Sequence, residues 1–125
     1  MCVGNQGRSV LAERLFRRAS AGRHEARSAG SAPGAATHPL VLEALGEVGL
    51  DASDHVPAKL DDGCVDWAEV VVATCDDACP VVLGKRYVNW QLPDPKGRPL
   101  EEVRAIRDEV ARRVEVLAAE LDGTA

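Results

Sequence analysis

The residues richest in chemistry stand together in "MCVGNQGRS". Cys2 is separated from Arg8 by a short stretch holding Gly4, Asn5 and Gly7, and Ser9 follows at once. Glycine adopts backbone conformations closed to other residues, and asparagine tolerates the left-handed one, so this stretch can curl until successive N–H groups converge. Backbone donors gathered in front of a helix N-terminus form an anion site. A cysteine in that field, close to a guanidinium, is held as the thiolate and is a nucleophile at neutral pH. Arg8 can grip a tetrahedral oxyanion with two parallel N–H groups. The Ser9 hydroxyl can donate to the sulfur and ease its later departure. The expected site is therefore Cys2 as nucleophile, with Arg8 and Ser9 beside it, in a cradle of Val3, Gly4, Asn5, Gln6, Gly7 and Arg8. The Cys-to-Arg spacing alone also fits an inert N-terminal segment. A helix beginning at Ser9 gives the reading its weight, because it sets a positive dipole end behind the loop.

The elements that must hold this loop are legible from periodicity. Val10, Leu11, Leu15, Phe16 and Ala19 recur at helical spacing from Ser9 to about Gly22, which suits the helix exit. "HEARSAGSAPG" reads as a short strand dissolving into a Gly/Ser/Pro loop. "THPLVLEALGEVGLD" reads as a second helix, with Pro39 in its first turn and Gly49 at its end. "SDHVPAKLDDGCVDWA" reads as loop with one or two helical turns. "EVVVAT" is a continuous β-branched run, expected to be a strand covered on both faces. "KRYVNWQL" is a weaker strand, and "PDPKGRP" is a loop by its proline and glycine content. The last helix is expected from about Leu100 to Leu121, burying Val103, Ile106, Val110, Val114, Leu117 and Leu121. Strands alternating with helices imply an α/β fold with a parallel sheet, whose ligands sit at the carboxyl ends of the strands.

The whole chain of 125 residues reads as one domain, residues 1–125, without repeats or linker. Its apolar fraction of 46% and mixed charge indicate a folded domain, and the net charge of −5 argues against nucleic acid or an anionic membrane as partner. No stretch has the length of a membrane span or the make-up of a signal peptide, so the expected compartment is the cytoplasm, where thiols stay reduced. The four cysteines are then core residues, metal ligands or redox groups rather than a disulfide framework. Cys64 falls at an apolar helical position and reads as core. Neither His38 nor His55 has ligand spacing to the cysteines, so no metal is expected.

"CVGNQGRS" resembles the phosphate-binding loop of the low-molecular-weight protein tyrosine phosphatases and of the arsenate reductases that share their fold. The likeness continues through "RSAGSAP", "HPLVLEALGEVGLD", "DWAEVVVATC" and "WQLPDPKG". It implies a three-layer fold with a parallel sheet in strand order 2-1-3-4. Members carry an apolar strand just before the cysteine. Met1 takes the place of that strand's last apolar residue, so the resemblance implies that the first strand is missing from this chain.

The resemblance also implies a general acid, the aspartate of an Asp-Pro pair, which Asp94-Pro95 matches. Asp61 and Asp62 are further acidic residues that nothing places near the loop. Phosphatases of this family wall the substrate ring with aromatic residues after the Asp-Pro pair, whereas Lys96 and Gly97 stand there. Tyr87, Trp67 and Trp90 are more simply explained by packing. "ATCDDACPVV" resembles the redox segment of thioredoxin-linked arsenate reductases. The implied function is reduction of arsenate to arsenite by a relay of Cys2, Cys75 and Cys79, without a cofactor. Its implied partners are an arsenate or phosphate oxyanion and thioredoxin, acting on a monomer. Alternatives are a reductase drawing on mycothiol or glutathione, which would need neither Cys75 nor Cys79, and a phosphatase. From a different class, the chain could be a non-catalytic oxyanion- or arsenite-binding remnant.

Overall fold

The computed structural model of the chain describes residues 4–74 and 86–123. Cys2, Val3, Cys75 and Cys79 lie outside the described residues, as does the Cys64 side chain. The elements run α1 (Arg8–Ser20), α2 (Pro39–Glu47), α3 (Asp62–Trp67), β1 (Val70–Ala73), β2 (Arg86–Asn89) and α4 (Leu100–Gly123).

Helix α1 packs on α4, and α2 packs on α4 beside it. The apolar stripes read from the sequence are what meet: Leu11 and Leu15 from α1, Val41 and Leu45 from α2, and Val103, Val110 and Val114 from α4 are almost fully buried. Leu121, expected in the α4 stripe, is only partly buried, and Ala118 takes a place in the core. Polar ties lock the same interface. Arg107 donates to the Ala44 carbonyl at 3.0 Å and to Glu47 at 2.9 Å, fastening the end of α2 to α4. Asp122 near the end of α4 pairs with Arg23 at 2.8 Å and His24 at 2.9 Å, just past α1. Helix α4 carries its apolar residues on one side, and among the described residues no helix is long and apolar enough to cross a membrane.

Helix α1 begins at Arg8, one residue before the expected start, and ends with Ala21 in the left-handed conformation followed by Gly22, also at positive φ. The exit of α2 runs through Gly49 at φ 81°.

Strands β1 and β2 pair in parallel, Val70 opposite Arg86 through Ala73 opposite Asn89. The expected two-sided burial of β1 is only half realised. Val71 and Ala73 are buried, whereas Val70 and Val72 are intermediate. The reason is a cavity of about 590 Å³ lined by β1 and by the segment 23–29, with Phe16, Trp90 and Leu117 among its apolar walls. Residues 25–29, part of the stretch expected to begin as a strand, belong to no strand among the described residues. Gly30, just after this segment, forms an isolated parallel bridge with Lys59, apart from the β1–β2 pair. Trp67 sits on the rim of the cavity, stacked on the Arg27 guanidinium at 4.1 Å, while Trp90 is core as expected.

Candidate active site

The loop 4–7 leads into α1, and its geometry follows from where its carbonyls go. The Gly4 carbonyl accepts from the Gly34 N–H at 2.9 Å, and the Gln6 carbonyl from the His38 N–H at 3.0 Å. The Asn5 carbonyl lies 3.1 Å from His55 Nε2. Because a carbonyl only accepts, Nε2 carries the proton there. The Gly7 carbonyl is taken by Leu11 N–H at 3.0 Å, the first bond of α1. In a trans peptide the C=O of one residue and the N–H of the next point in opposite directions, and no cis bond occurs among the described residues. Tying the Asn5 and Gln6 carbonyls to the surrounding scaffold therefore points the N–H groups of Gln6 and Gly7 the opposite way. The first-turn amides of α1 have no partner within the helix. Backbone donors gathered ahead of a helix N-terminus are the kind of arrangement that an oxyanion site requires.

Asn5 is the keystone of the curl. It is fully buried and holds φ at 52°, a left-handed conformation that asparagine adopts more readily than most residues. Its side chain donates to Ser9 Oγ at 2.8 Å and accepts from Ala58 N–H at 2.9 Å. Ser9 is thus an acceptor toward Asn5, which directs its own O–H proton to another group.

Arg8 is 8% exposed. One of its N–H groups donates to the Leu92 carbonyl at 3.1 Å, and Nη2 stands 3.9 Å from Asp94 Oδ2. Asp94 is accordingly beside the cradle, bridged to it through Arg8. Its other oxygen accepts from Lys96 N–H at 3.0 Å, and its carbonyl accepts from Arg98 Nε at 2.7 Å. The carboxyl is held by its own turn yet is more than half exposed.

Of the expected site residues within the described part, Gly4, Asn5, Gln6, Gly7, Arg8, Ser9 and Asp94 come together. The scaffold around them was not legible as such. His55, the Leu92 carbonyl, the segment 34–38 and Pro95 each brace the loop from far along the chain. Gln6 is one anchor: its amide donates to the Ala36 carbonyl at 2.7 Å and fills the space over Gly34, where any side chain would collide with it. The signal in the sequence was faint, a histidine in "SDHVP" and glycines in "GSAPGAA" with no periodic pattern to anchor them.

The family model of the low molecular weight phosphotyrosine protein phosphatases matches residues 1–124. Arsenate reductase 2 of Staphylococcus haemolyticus is 32% identical over 120 residues, covering 92% of this chain and 90% of that one. Among solved structures, a thioredoxin-dependent arsenate reductase of Corynebacterium glutamicum superposes with a TM-score of 0.81 at 34% identity; 99% of this chain is covered, and it spans 60% of that longer chain. An arsenate reductase in a phosphate-binding state gives a TM-score of 0.84 at 32% identity, over 95% of this chain and 93% of the other. A family match running nearly end to end, over a fold that superposes equally fully, makes the chain a member of the low molecular weight phosphotyrosine protein phosphatase family.

Proposed function

We propose that the protein reduces arsenate to arsenite, with Cys2 as nucleophile and Cys75 and Cys79 as the redox relay. The observation that carries the reading is the outward tethering of the loop carbonyls, which leaves a donor cradle flanked by Arg8 and Asp94. That arrangement suits a tetrahedral oxyanion and a departing oxygen in need of a proton. Relatives and solved structures named as arsenate reductases support the choice of arsenate. The thioredoxin dependence of the Corynebacterium glutamicum enzyme supports thioredoxin as reductant.

The chemistry runs in three steps. The Cys2 thiolate forms a bond to arsenic, the cradle N–H groups and Arg8 hold the remaining oxygens, and Asp94 protonates the hydroxide that leaves as water. Cys75 thiolate then attacks Cys2 Sγ. The sulfur–arsenic bond breaks with its electron pair going to arsenic, which departs as arsenite in the trivalent state, and a Cys2–Cys75 disulfide remains. Cys79 thiolate attacks Cys75, freeing Cys2 and leaving a Cys75–Cys79 disulfide, which a dithiol such as thioredoxin reduces.

The test is a set of serine variants assayed with arsenate, thioredoxin and its reductase. Cys2→Ser should abolish turnover while preserving the fold. Cys79→Ser should stop after one turnover and accumulate a Cys2–Cys75 disulfide, visible by mass spectrometry after non-reducing digestion. Normal turnover of Cys75→Ser and Cys79→Ser with an added small thiol would overturn the relay. Substantial turnover in Cys2→Ser would overturn the nucleophile.

A further inference from the structure

Pro95 is the single buried residue in the stretch 93–99, and what it is buried against is Gly7. A Cβ built on Gly7 would lie 2.7 Å from Pro95 Cγ and 3.4 Å from both Pro95 Cδ and His38 Cδ2. Real carbon contacts do not reach 2.7 Å. The atom in the way belongs to a ring closed on the backbone, so relief is confined to the pucker of that ring and to the main chain of the Asp94-Pro95 turn. Gly7 has φ −141°, outside the left-handed region, and the contact with Pro95 is a steric reason for glycine here.

We propose that Gly7 is a positioning residue for Asp94: its missing side chain is the seat into which Pro95 fits, and this seat sets the height of the Asp94 carboxyl over the cradle. The inference rests on the reading of Asp94 as proton donor. The turn behaves as one braced piece, because Asp94 Oδ1 accepts from Lys96 N–H, the Asp94 carbonyl from Arg98 Nε, and the Pro95 carbonyl from Arg98 N–H at 3.2 Å. Lifting Pro95 therefore lifts Asp94 with it. To bring the added methyl from 2.7 Å to an ordinary contact beyond 3.4 Å, the methyl and the ring must separate by at least about 0.7 Å, and the share that ring pucker does not supply lifts the turn. The Asp94–Arg8 approach, 3.9 Å now, has no slack to absorb that.

A misplacement of about 1 Å in a reacting group costs on the order of 100-fold in rate. Gly7→Ala should accordingly lower kcat by about 10- to 100-fold with little change in KM for arsenate, since the loop amides and Arg8 stay in place. Adding Pro95→Ala removes the Cγ that collides, so the double variant Gly7→Ala/Pro95→Ala should recover most of the lost kcat. A crystal structure of Gly7→Ala should show the Arg8–Asp94 separation enlarged. Urea midpoints of all variants identify any loss that is merely unfolding, and the double variant is the arm that distinguishes a seat from a general weakening of α1. The proposal is overturned if Gly7→Ala keeps kcat within twofold, if KM rises while kcat holds, or if Pro95→Ala gives no recovery. Asp94→Asn is the separate check. Full turnover in that variant would remove the proton-donor reading, while the Arg8–Asp94 distance in Gly7→Ala would still decide whether Gly7 seats the turn.

Discussion

Replacing Asn5 separates the two things that residue does. In Asn5→Ala the protein loses the bond to Ser9 and the bond from Ala58 N–H, each contributing about 1 kcal/mol net. It also asks an alanine to hold a left-handed backbone, at a cost of about 1–2 kcal/mol. The expected loss is then about 3–4 kcal/mol, a large part of the stability of a domain this size. Asn5→Gly loses the same two bonds but not the backbone term, and it adds unfolded-chain freedom of about 0.4–1 kcal/mol. Glycine should therefore be the milder change, by about 0.5–1 kcal/mol. Urea unfolding followed by the fluorescence of the two tryptophans, of which Trp90 is buried, measures both differences. An alanine variant as stable as glycine would refute the argument that φ matters at Asn5. A loss below about 0.5 kcal/mol in both would refute the hydrogen-bond part.

Leu45 is fully buried between α2 and α4, so Leu45→Ala should cost about 2–5 kcal/mol in the same assay. A cost under about 1 kcal/mol would mean that the α2–α4 contact is not core. Asp122 is held below its ordinary value of 3.8 by hydrogen bonds from Arg23 and then His24. A carboxyl lowered on folding contributes stability that is present above its unfolded value and lost as pH falls through its folded one. Asp122→Asn should thus lower the thermal midpoint near neutral pH, and the gap to the parent should close below 3.8. Glu109, lowered to about 2 by hydrogen bonds from Arg112 and Arg113, should leave a second acid-dependent step between 4.5 and about 2, removed in Glu109→Gln.

The helices were legible because each has a periodic apolar stripe and the stripes face one another, as Leu15, Leu45 and Val110 do. The loop was legible because Gly4, Asn5 and Gly7 before Arg8 are a local pattern, and local patterns survive in one dimension. The bracing was not, since His55 and Leu92 reach the loop through single long-range bonds that leave no period. The two-sided burial of β1 failed for a related reason. A run of β-branched residues reports what the strand can bury, whereas the cavity beside it depends on where 23–29 lies. Glycine at position 7 reads in the sequence as loop freedom, yet its contacts assign it to the packing of Pro95.

The bond from Arg8 to Leu92 joins residues 84 positions apart, and that from His55 to Asn5 joins residues 50 apart. At synthesis rates of about 5–20 residues per second, Leu92 is made roughly 4–17 s after Arg8. During that interval the anion loop has neither its guanidinium anchor nor the acid turn beside it. The helix that carries the loop likewise waits for α4 to cover its apolar side. Contacts of such sequence separation slow folding, because the chain must close a long loop before it gains them. The candidate site is thus completed late in biogenesis, because a nascent chain cannot assemble the loop, its Leu92 anchor and the Asp94 turn before residue 94 has been made.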